Sequence, residues 1–257
     1  MYLEDYDLSG KKAVVTGGGR GIGAAICQAL AEAGAEIVIL DLNEEAASAS
    51  AKALLDGGRT ASYHVVDVTD ASAVKEVADA LNRDGQAIDI LVNNAGVARI
   101  SDSLDGPDED WILTMKVNSD AAYWCSRAFG RHMVERRRGS VVNIGSMCGS
   151  IVTRPQNSIP YMASKGAIHM MTKALACAWA TRGVRVNAVA PGYVRTEMTG
   201  PLVATHPEWL SDWEDMTPMK RLAETREIAA AVLFLASGAS SYCTGSILAV
   251  DGGFTSW

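Results

Sequence analysis

The sequence lacks a long apolar run. No stretch of the 257 residues approaches the roughly 18 consecutive apolar residues that a membrane-spanning helix requires. The acidic start of the chain also lacks the apolar core of a secretion signal. We therefore expect no membrane partner.

Cysteine is scarce and follows no ligand pattern. There are five cysteines, an odd number, and no pair has the spacing of a Cys-x-x-Cys motif. This distribution argues against a disulfide scaffold and against a zinc site. The expectation is a reduced, cytoplasmic protein with no catalytic metal.

Positive charge is in deficit, with a formal net charge of −7. Such a balance disfavours nucleic acids and anionic membranes as partners. The basic run Arg136, Arg137 and Arg138 is interpreted as a solvated cap at a helix end, where cations suit the helix dipole. The sequence therefore predicts no nucleic-acid partner.

Short apolar runs alternate with helical segments along most of the chain. The apolar runs are continuous, as expected for strands covered on both faces. The predicted strands are 11–16, 36–40, 60–66, 88–93, 140–145, 184–190 and 246–250. The predicted helices are 21–33, 44–55, 71–83 (capped by Thr69), 108–137, 160–181 and 226–236. The pattern predicts an α/β fold: one domain, 1–257, with a doubly wound parallel sheet.

The segment 192–224 interrupts this alternation. It shows no strand pattern and contains Trp209 and Trp213. Irregular segments of this length within a compact domain are usually functional. We predict that this segment, hereafter the flap, covers a substrate.

A glycine cluster follows the first predicted strand and opens the first predicted helix. It includes Gly17, Arg20, Gly21, Ile22 and Gly23. Glycines in this place let the backbone approach a pyrophosphate, and the helix N-terminus offers free N–H groups. The alternative is a tight turn without a ligand. The position between a strand and a helix favours a dinucleotide site.

Acidic residues close the next two strands. Asp41 stands where a carboxylate can accept hydrogen bonds from adenosine ribose hydroxyls and repel a 2′-phosphate, which favours NAD over NADP. Arg20 argues weakly for NADP, because a guanidinium could reach a phosphate. Asp67 either accepts from the adenine amino group or caps the turn before Thr69. The predicted cofactor is NAD.

Tyr161 and Lys165 stand four residues apart in a predicted helix. Both side chains therefore leave the same face, one turn from each other. An ammonium near a phenol favours the phenolate and lowers its pKa, so the pair can serve as a general acid/base. The alternative is two unrelated surface residues.

Six motifs in order resemble the short-chain dehydrogenase/reductase family. They are Thr16-Gly-x-x-x-Gly-x-Gly23, Asn93-Asn94-Ala95-Gly96, Asn118, Ser146, Tyr161-x-x-x-Lys165 and Pro191-Gly192. The resemblance covers nearly the whole chain. It implies a Rossmann-type domain with a seven-stranded parallel sheet, assembled as a homotetramer.

The resemblance also implies roles for individual residues. Tyr161 is expected to be the general acid/base, Lys165 to hold the nicotinamide ribose, and Ser146 to bind the substrate oxygen. Asn118 is expected to hold a water in a proton relay. As alternatives, Ser146 caps a turn and Asn118 satisfies helix backbone. The remaining implied cofactor contacts are Val68, Asn94, Ala95, Gly96, Pro191, Gly192, Val194 and Thr196.

The substrate is the least readable feature. Within the family the chain is most similar to polyol dehydrogenases, and Gln156 and Asn157 could bond several hydroxyls while Trp209 covers an apolar face. Arg154 could instead bind an anion. The predicted reaction is NAD-dependent interconversion of a secondary alcohol and its ketone. The alternatives are 3-oxoacyl or keto-acid reduction and a catalytically silent NAD-sensing regulator.

The helices 108–137 and 160–181 carry more large apolar side chains than one sheet face can cover. The family resemblance implies that these helices form a subunit interface. We therefore predict that Trp257, the last residue, packs at a subunit contact of the homotetramer.

Overall fold

The computed structural model describes residues 2–83, 87–156 and 158–257. Its strands are β1 (Lys12–Thr16), β2 (Glu36–Asp41), β3 (Ala61–Val65), β4 (Ile90–Asn93), β5 (Gly139–Ile144), β6 (Val184–Pro191) and β7 (Ile247–Val250). Its α-helices are α1 (Gly21–Glu32), α2 (Glu44–Asp56), α3 (Ala71–Leu81), α4 (Asp108–Met115), α5 (Ala121–Arg136), α6 (Ile159–Trp179), α7 (Gly200–Thr205), α8 (Glu208–Met216) and α9 (Thr225–Ala236).

The strands form one parallel sheet in the order β3-β2-β1-β4-β5-β6-β7. The chain leaves β3 and returns to the far side of β1 as β4, so the strand order reverses between β1 and β4. In open α/β sheets, ligands bind at the carboxyl ends of the strands beside such a reversal. The predicted seven-stranded parallel fold is confirmed.

Alternate residues of each central strand enter opposite cores. Val15 and Ile39 pack in one core with Ile26 of α1 and residues of α9. Val14 and Leu40 pack in the other core with residues of α3, α5 and α6. Successive strand side chains point to opposite faces, and both faces are covered. The continuous apolar runs of the sequence follow from this burial.

The predicted helix 108–137 contains a turn of π-helix, Lys116–Asp120, between α4 and α5. Single π turns inside α-helices occur frequently at functional sites. Asn118 lies in this turn. A second difference concerns α3, where Asp70 rather than Thr69 is the cap, because its carboxylate accepts from the Ser72 and Ala73 amides.

The basic run lies at the end of α5 with Arg137 and Arg138 exposed, as predicted, and its side chains also bind protein groups. Arg138 donates to Asp89 Oδ1 at 3.0 and 2.6 Å, and Asp89 is buried. Arg136 donates to the Ile88 carbonyl at 2.7 Å and Arg137 to the Thr181 carbonyl at 2.8 Å. These hydrogen bonds join the end of α5 to the segment before β4 and to the segment before β6.

The flap contains α7 and α8 and is attached to the body at its two ends by a bridge between Val194 and Ala223. Within the described ranges, no helix is both long and apolar enough to cross a membrane.

Candidate active site

The carboxyl ends of β1 and β4 are joined by side chains of the predicted motifs. Thr16 Oγ1 accepts from the amides of Asn94 (3.0 Å) and Ala95 (3.1 Å). Asn94 Nδ2 returns bonds to the carbonyls of Thr16 (3.0 Å) and Gly17 (2.9 Å). This network fixes the glycine loop beside the reversal of strand order.

The glycine loop has no room for a side chain at Gly23. A Cβ placed there would lie 2.0 Å from the Gly17 carbonyl oxygen and 2.6 Å from Asn94 Nδ2. The side chain of Arg20, the residue before α1, makes no capping hydrogen bond to the helix. Arg20 therefore does not occupy the first N–H groups of α1. A helix N-terminus of this kind attracts phosphate.

Two carboxylates lie at the ends of the next strands. Asp41 Oδ2 accepts from the Gly19 amide and Oδ1 from the Asn43 amide, each at 3.0 Å. This carboxylate therefore sits directly beside the glycine loop. Asp67 is exposed and accepts from the Thr69 amide at 2.8 Å, so it makes the turn-capping bond. Val68 next to it is buried.

Tyr161 and Lys165 project from the first turns of α6. Lys165 is only 4% exposed, and its ammonium donates to the Ile144 carbonyl at the end of β5 at 2.8 Å. The same nitrogen lies 5.5 Å from the centre of the Tyr161 ring. The predicted pair thus lies together against the end of β5, with the lysine buried and the tyrosine half-buried.

Ser146 completes this unit. It lies beside the Tyr161 phenol, whose ionisation it favours, and its hydroxyl accepts from the Cys148 amide at 3.2 Å. The serine therefore caps the 3₁₀ turn Met147–Gly149 and faces the tyrosine at the same time. The two alternatives stated for Ser146 are compatible with each other.

Burial sets the ionisation of the pair. Burial raises the pKa of the Tyr161 phenol, the Cys148 thiol adds to the rise, and the nearby Ser146 hydroxyl offsets part of it. Burial therefore dominates among the protein groups, and the lowering of the tyrosine pKa by Lys165 together with the cofactor's positive ring stays a prediction. Burial also lowers the pKa of the Lys165 ammonium to about 8.

Asn118 is held by its neighbours on both sides. Its Oδ1 accepts from the Val97 amide at 2.8 Å, and its Nδ2 donates to the Val97 carbonyl (2.9 Å) and to Ser164 Oγ (3.0 Å). The side chain thereby joins the π turn to the loop after β4 and to α6. A Cβ on Gly96 would lie 3.3 Å from Asn118 Oδ1 and 3.8 Å from Lys165 Nζ. The loop backbone therefore passes close to both groups.

The segment after β6 reaches the glycine loop, because a Cβ on Gly21 would lie 3.9 Å from the Thr196 side chain. Pro191 ends β6, and the Gly192 amide donates to the Val250 carbonyl at 3.0 Å. Val194 is buried, and the Thr196 amide donates to Thr199 Oγ1 at 3.1 Å.

An acidic residue that sequence reasoning missed lies beside the same loop. A Cβ on Gly21 would lie 3.2 Å from Glu197 Oε2, so a carboxylate faces the start of α1. The signal available in the sequence was its position next to Thr196 at the start of the flap.

Comparison with known proteins decides the family. A model of the short-chain dehydrogenase group, described as enoyl-(acyl carrier protein) reductase, matches residues 17–255. The chain belongs to the short-chain dehydrogenase/reductase family. The resemblance drawn from six motifs is confirmed.

Similar members of the family are known. The galactitol 2-dehydrogenase (L-tagatose-forming) of Cereibacter sphaeroides is 52% identical over 257 residues, which is 100% of this chain and 99% of that protein. The galactitol 2-dehydrogenase of Rhizobium johnstonii (strain DSM 114642 / LMG 32736 / 3841) is 47% identical over 260 residues, with coverage of 100% and 99%. A gluconate 5-dehydrogenase from Burkholderia cenocepacia J2315, crystallised with NADP and tartrate, has a TM-score of 0.93 at 41% identity and 100% coverage of both chains.

In this short-chain dehydrogenase/reductase, Gln156 does not project freely from its loop. Its amide is bonded to the side chains of Trp213 and Tyr193. Trp209 stacks on His206 with ring centres 4.1 Å apart, inside the flap. Asn157 lies outside the described residues.

Tyr193, which sequence reasoning missed, contacts both Gln156 and Trp213. It follows Pro191 and Gly192 directly, and this adjacency was the available signal. Among the residues that the structure describes, no three His, Cys, Asp or Glu side chains are placed to hold a metal ion.

Proposed function

We propose that this chain is a NAD-dependent dehydrogenase that oxidises a secondary alcohol of a polyol to the ketone and catalyses the reverse reduction. The observation that carries the proposal is the grouping of Tyr161 with the buried Ser146 and Lys165 at the end of β5. A phenol and a serine hydroxyl converge there, as is needed to bind and deprotonate one alcohol oxygen. Galactitol 2-dehydrogenases among the relatives support a polyol as the substrate.

The nicotinamide cofactor, when bound, supplies the hydride acceptor. The protein groups supply the proton chemistry. Ser146 donates to the substrate oxygen and holds it beside Tyr161. The Tyr161 phenolate removes the hydroxyl proton during oxidation, and the neutral phenol returns it during reduction. The Lys165 cation favours the phenolate, because opposite charges attract strongly in a buried site.

The structure offers a fitting cradle for a dinucleotide. The tightly packed glycine loop at Gly23, the start of α1 without a side-chain cap and the adjoining Asp41 carboxylate suit a pyrophosphate and an adenosine ribose. We include Arg20, Ile22, Val68, Ala95 and Gly96 with the segment Pro191 to Thr196 as the cofactor contacts. The NADP in the Burkholderia enzyme makes the choice of cofactor a question for experiment.

Replacing Asp41 by asparagine should increase the ratio of kcat/KM with NADP+ to kcat/KM with NAD+ at least about tenfold, because like charges juxtaposed in an interface cost several kcal/mol. Asparagine keeps the shape and one acceptor oxygen. Steady-state kinetics with both cofactors measures the ratio. Asp56→Asn, at the exposed far end of α2, is the control and should leave the ratio unchanged. An unchanged ratio in Asp41→Asn would refute the role given to this carboxylate.

Absorbance of the reduced nicotinamide tests the proposed reaction. NAD+ should be reduced with hexitols and pentitols, and turnover with hydroxy acids or 3-hydroxyacyl compounds should be at least about tenfold lower in kcat/KM, since unsatisfied polar contacts discriminate strongly. The NAD+ and NADP+ panels are run in parallel. Activity confined to acyl or keto-acid compounds would favour the alternative reductase function. Tight NAD binding without turnover would favour the sensing regulator.

The side chains on α4, α5 and α6 support assembly into a homotetramer. Trp111, Ile112, Tyr123 and Met170 are exposed on these helices in the single chain, although Phe129 of α5 is buried in the core. Large exposed apolar patches mark interaction sites. Trp257 is 79% exposed in the single chain, as required of a residue proposed to pack on a second subunit. We also propose a cytoplasmic location, in keeping with five free cysteines.

A further inference from the structure

The Gln156 amide joins three separate parts of the chain. Trp213 Nε1 of α8 donates to Gln156 Oε1 at 3.1 Å. Gln156 Nε2 donates to the Tyr193 hydroxyl at 2.9 Å and to Thr153 Oγ1 at 3.4 Å. The loop after Ser146, the segment after β6 and the flap helix therefore meet at one side chain.

The orientation of this amide is set by its partners. An indole N–H can only donate, so it must face the amide oxygen. The two N–H groups of the amide then point at Tyr193 and Thr153. The Tyr193 hydroxyl in turn donates to the Arg154 carbonyl at 3.4 Å. The donor capacity of Gln156 is used within the protein.

Packing reinforces these bonds. The rings of Tyr193 and Trp213 stack with centres 4.4 Å apart and an angle of 11°. Phe254 meets Tyr193 edge-on at 5.7 Å. Trp213 is only 1% exposed, so loss of its acceptor would leave a buried donor unpaired, which is costly.

This arrangement connects to the catalytic unit. Cys148 Sγ lies 3.4 Å from Thr153 Oγ1, and Cys148 follows Ser146 by two residues. The same thiol acts on the ionisation of Tyr161. A continuous series of contacts therefore runs from α8 through Gln156 and Thr153 to the loop beside the reacting groups.

We infer that Gln156 is a positioning residue: it latches α8 of the flap to the loop after Ser146 and so shapes the substrate side of the site. We define the latch as the Gln156 amide, the Tyr193 hydroxyl and the Trp213 indole. The inference rests on the proposed function. It replaces the direct contact with substrate hydroxyls expected from the sequence, because the amide donors already have protein partners.

The latch predicts one shared effect from two different substitutions. Gln156→Met and Trp213→Phe should each raise the polyol KM about tenfold, with kcat and the Kd for NAD+ changed less than about threefold, since both substitutions remove the hydrogen bond between Trp213 and Gln156. The double variant should be no worse than either single variant, because both changes break the same connection. Gln28→Met, an exposed glutamine on α1, is the control.

Hydrogen exchange of the amides in Glu208–Met216 provides a readout that needs no turnover. Exchange in this helix should accelerate in both variants and stay unchanged in Gln28→Met. If the wild-type chain oxidises no polyol, the proposed function fails while exchange still tests the latch. Should Trp213→Phe fail to fold, Tyr193→Phe takes its place.

Two outcomes would overturn the inference. If Gln156→Met raises KM while Trp213→Phe leaves KM and exchange at wild-type values, Gln156 contacts the substrate itself. Additive KM effects in the double variant would lead to the same conclusion. If neither substitution changes KM or exchange, the latch has no functional role.

Discussion

Replacing Tyr161 by phenylalanine should lower kcat for polyol oxidation by about 10²–10⁴-fold, the usual contribution of a positioned general acid/base. The ring remains, so the start of α6 and the packing against Lys165 are preserved. The Kd for NAD+, measured by fluorescence titration, should stay within about threefold of the wild-type value, since the change removes an interaction made during proton transfer.

Tyr242→Phe is the matched control, because Tyr242 is fully exposed. It removes the same hydroxyl from the surface and should leave kcat unchanged. Retention of more than about a tenth of wild-type kcat in Tyr161→Phe would contradict the assignment, because it falls well short of the expected loss.

The pH dependence of the wild-type protein tests the same residue independently. Burial raises the pKa of Tyr161, so the phenolate that oxidation needs is a minor species near neutrality. Its fraction grows up to tenfold per pH unit below that pKa, and kcat/KM for oxidation should therefore rise with pH above about 7. Reduction uses the neutral phenol and should show no such rise. The Lys165 charge is lost above its pKa of about 8, which limits the rise at alkaline pH. An oxidation rate that falls from about pH 7 to 8 would contradict the role of the phenolate.

The sheet and its helices were readable because their signals are local. Continuous apolar runs such as that of β2, and a glycine cluster between β1 and α1, depend on residues near in sequence. The helical spacing of Tyr161 and Lys165 likewise predicts that they share a face, as they do on α6. Local patterns of this kind predict where a helix or strand lies and which residues stand at its end.

Features that depend on distant partners were not readable. The rise in the Tyr161 pKa comes from burial by the whole fold, and spacing shows only the nearby ammonium. Gln156 meets Trp213, which lies 57 positions away, and Asn118 meets Ser164, which lies 46 positions away. A glutamine in a loop indicates that hydrogen bonds can be made there, but tertiary packing decides which group becomes their partner.

Replacing Gly23 by alanine should weaken NAD+ binding about 100-fold or more, equivalent to two factors of ten at about 1.4 kcal/mol each. The added methyl would lie 2.0 Å from the Gly17 carbonyl oxygen, well inside the contact distance, so the glycine loop or the start of α1 must move. Overpacking of this kind typically also costs about 1–3 kcal/mol of stability. Isothermal titration with NAD+ and thermal unfolding measure the two effects.

Gly200→Ala is the informative control for this substitution. Gly200 begins α7, and a Cβ there would have nothing within 4 Å, so alanine should leave both NAD+ affinity and the melting temperature unchanged. Wild-type affinity for NAD+ in Gly23→Ala would contradict the assignment of the dinucleotide to this loop. If NAD+ affinity falls while most of the stability is kept, the structural change is confined to the glycine loop. The reason is that the Asn94 amide, which donates to the Gly17 carbonyl, lies 2.6 Å from the added methyl position. The glycine is thus expected to serve the ligand and the junction of β1 with β4 through one close contact.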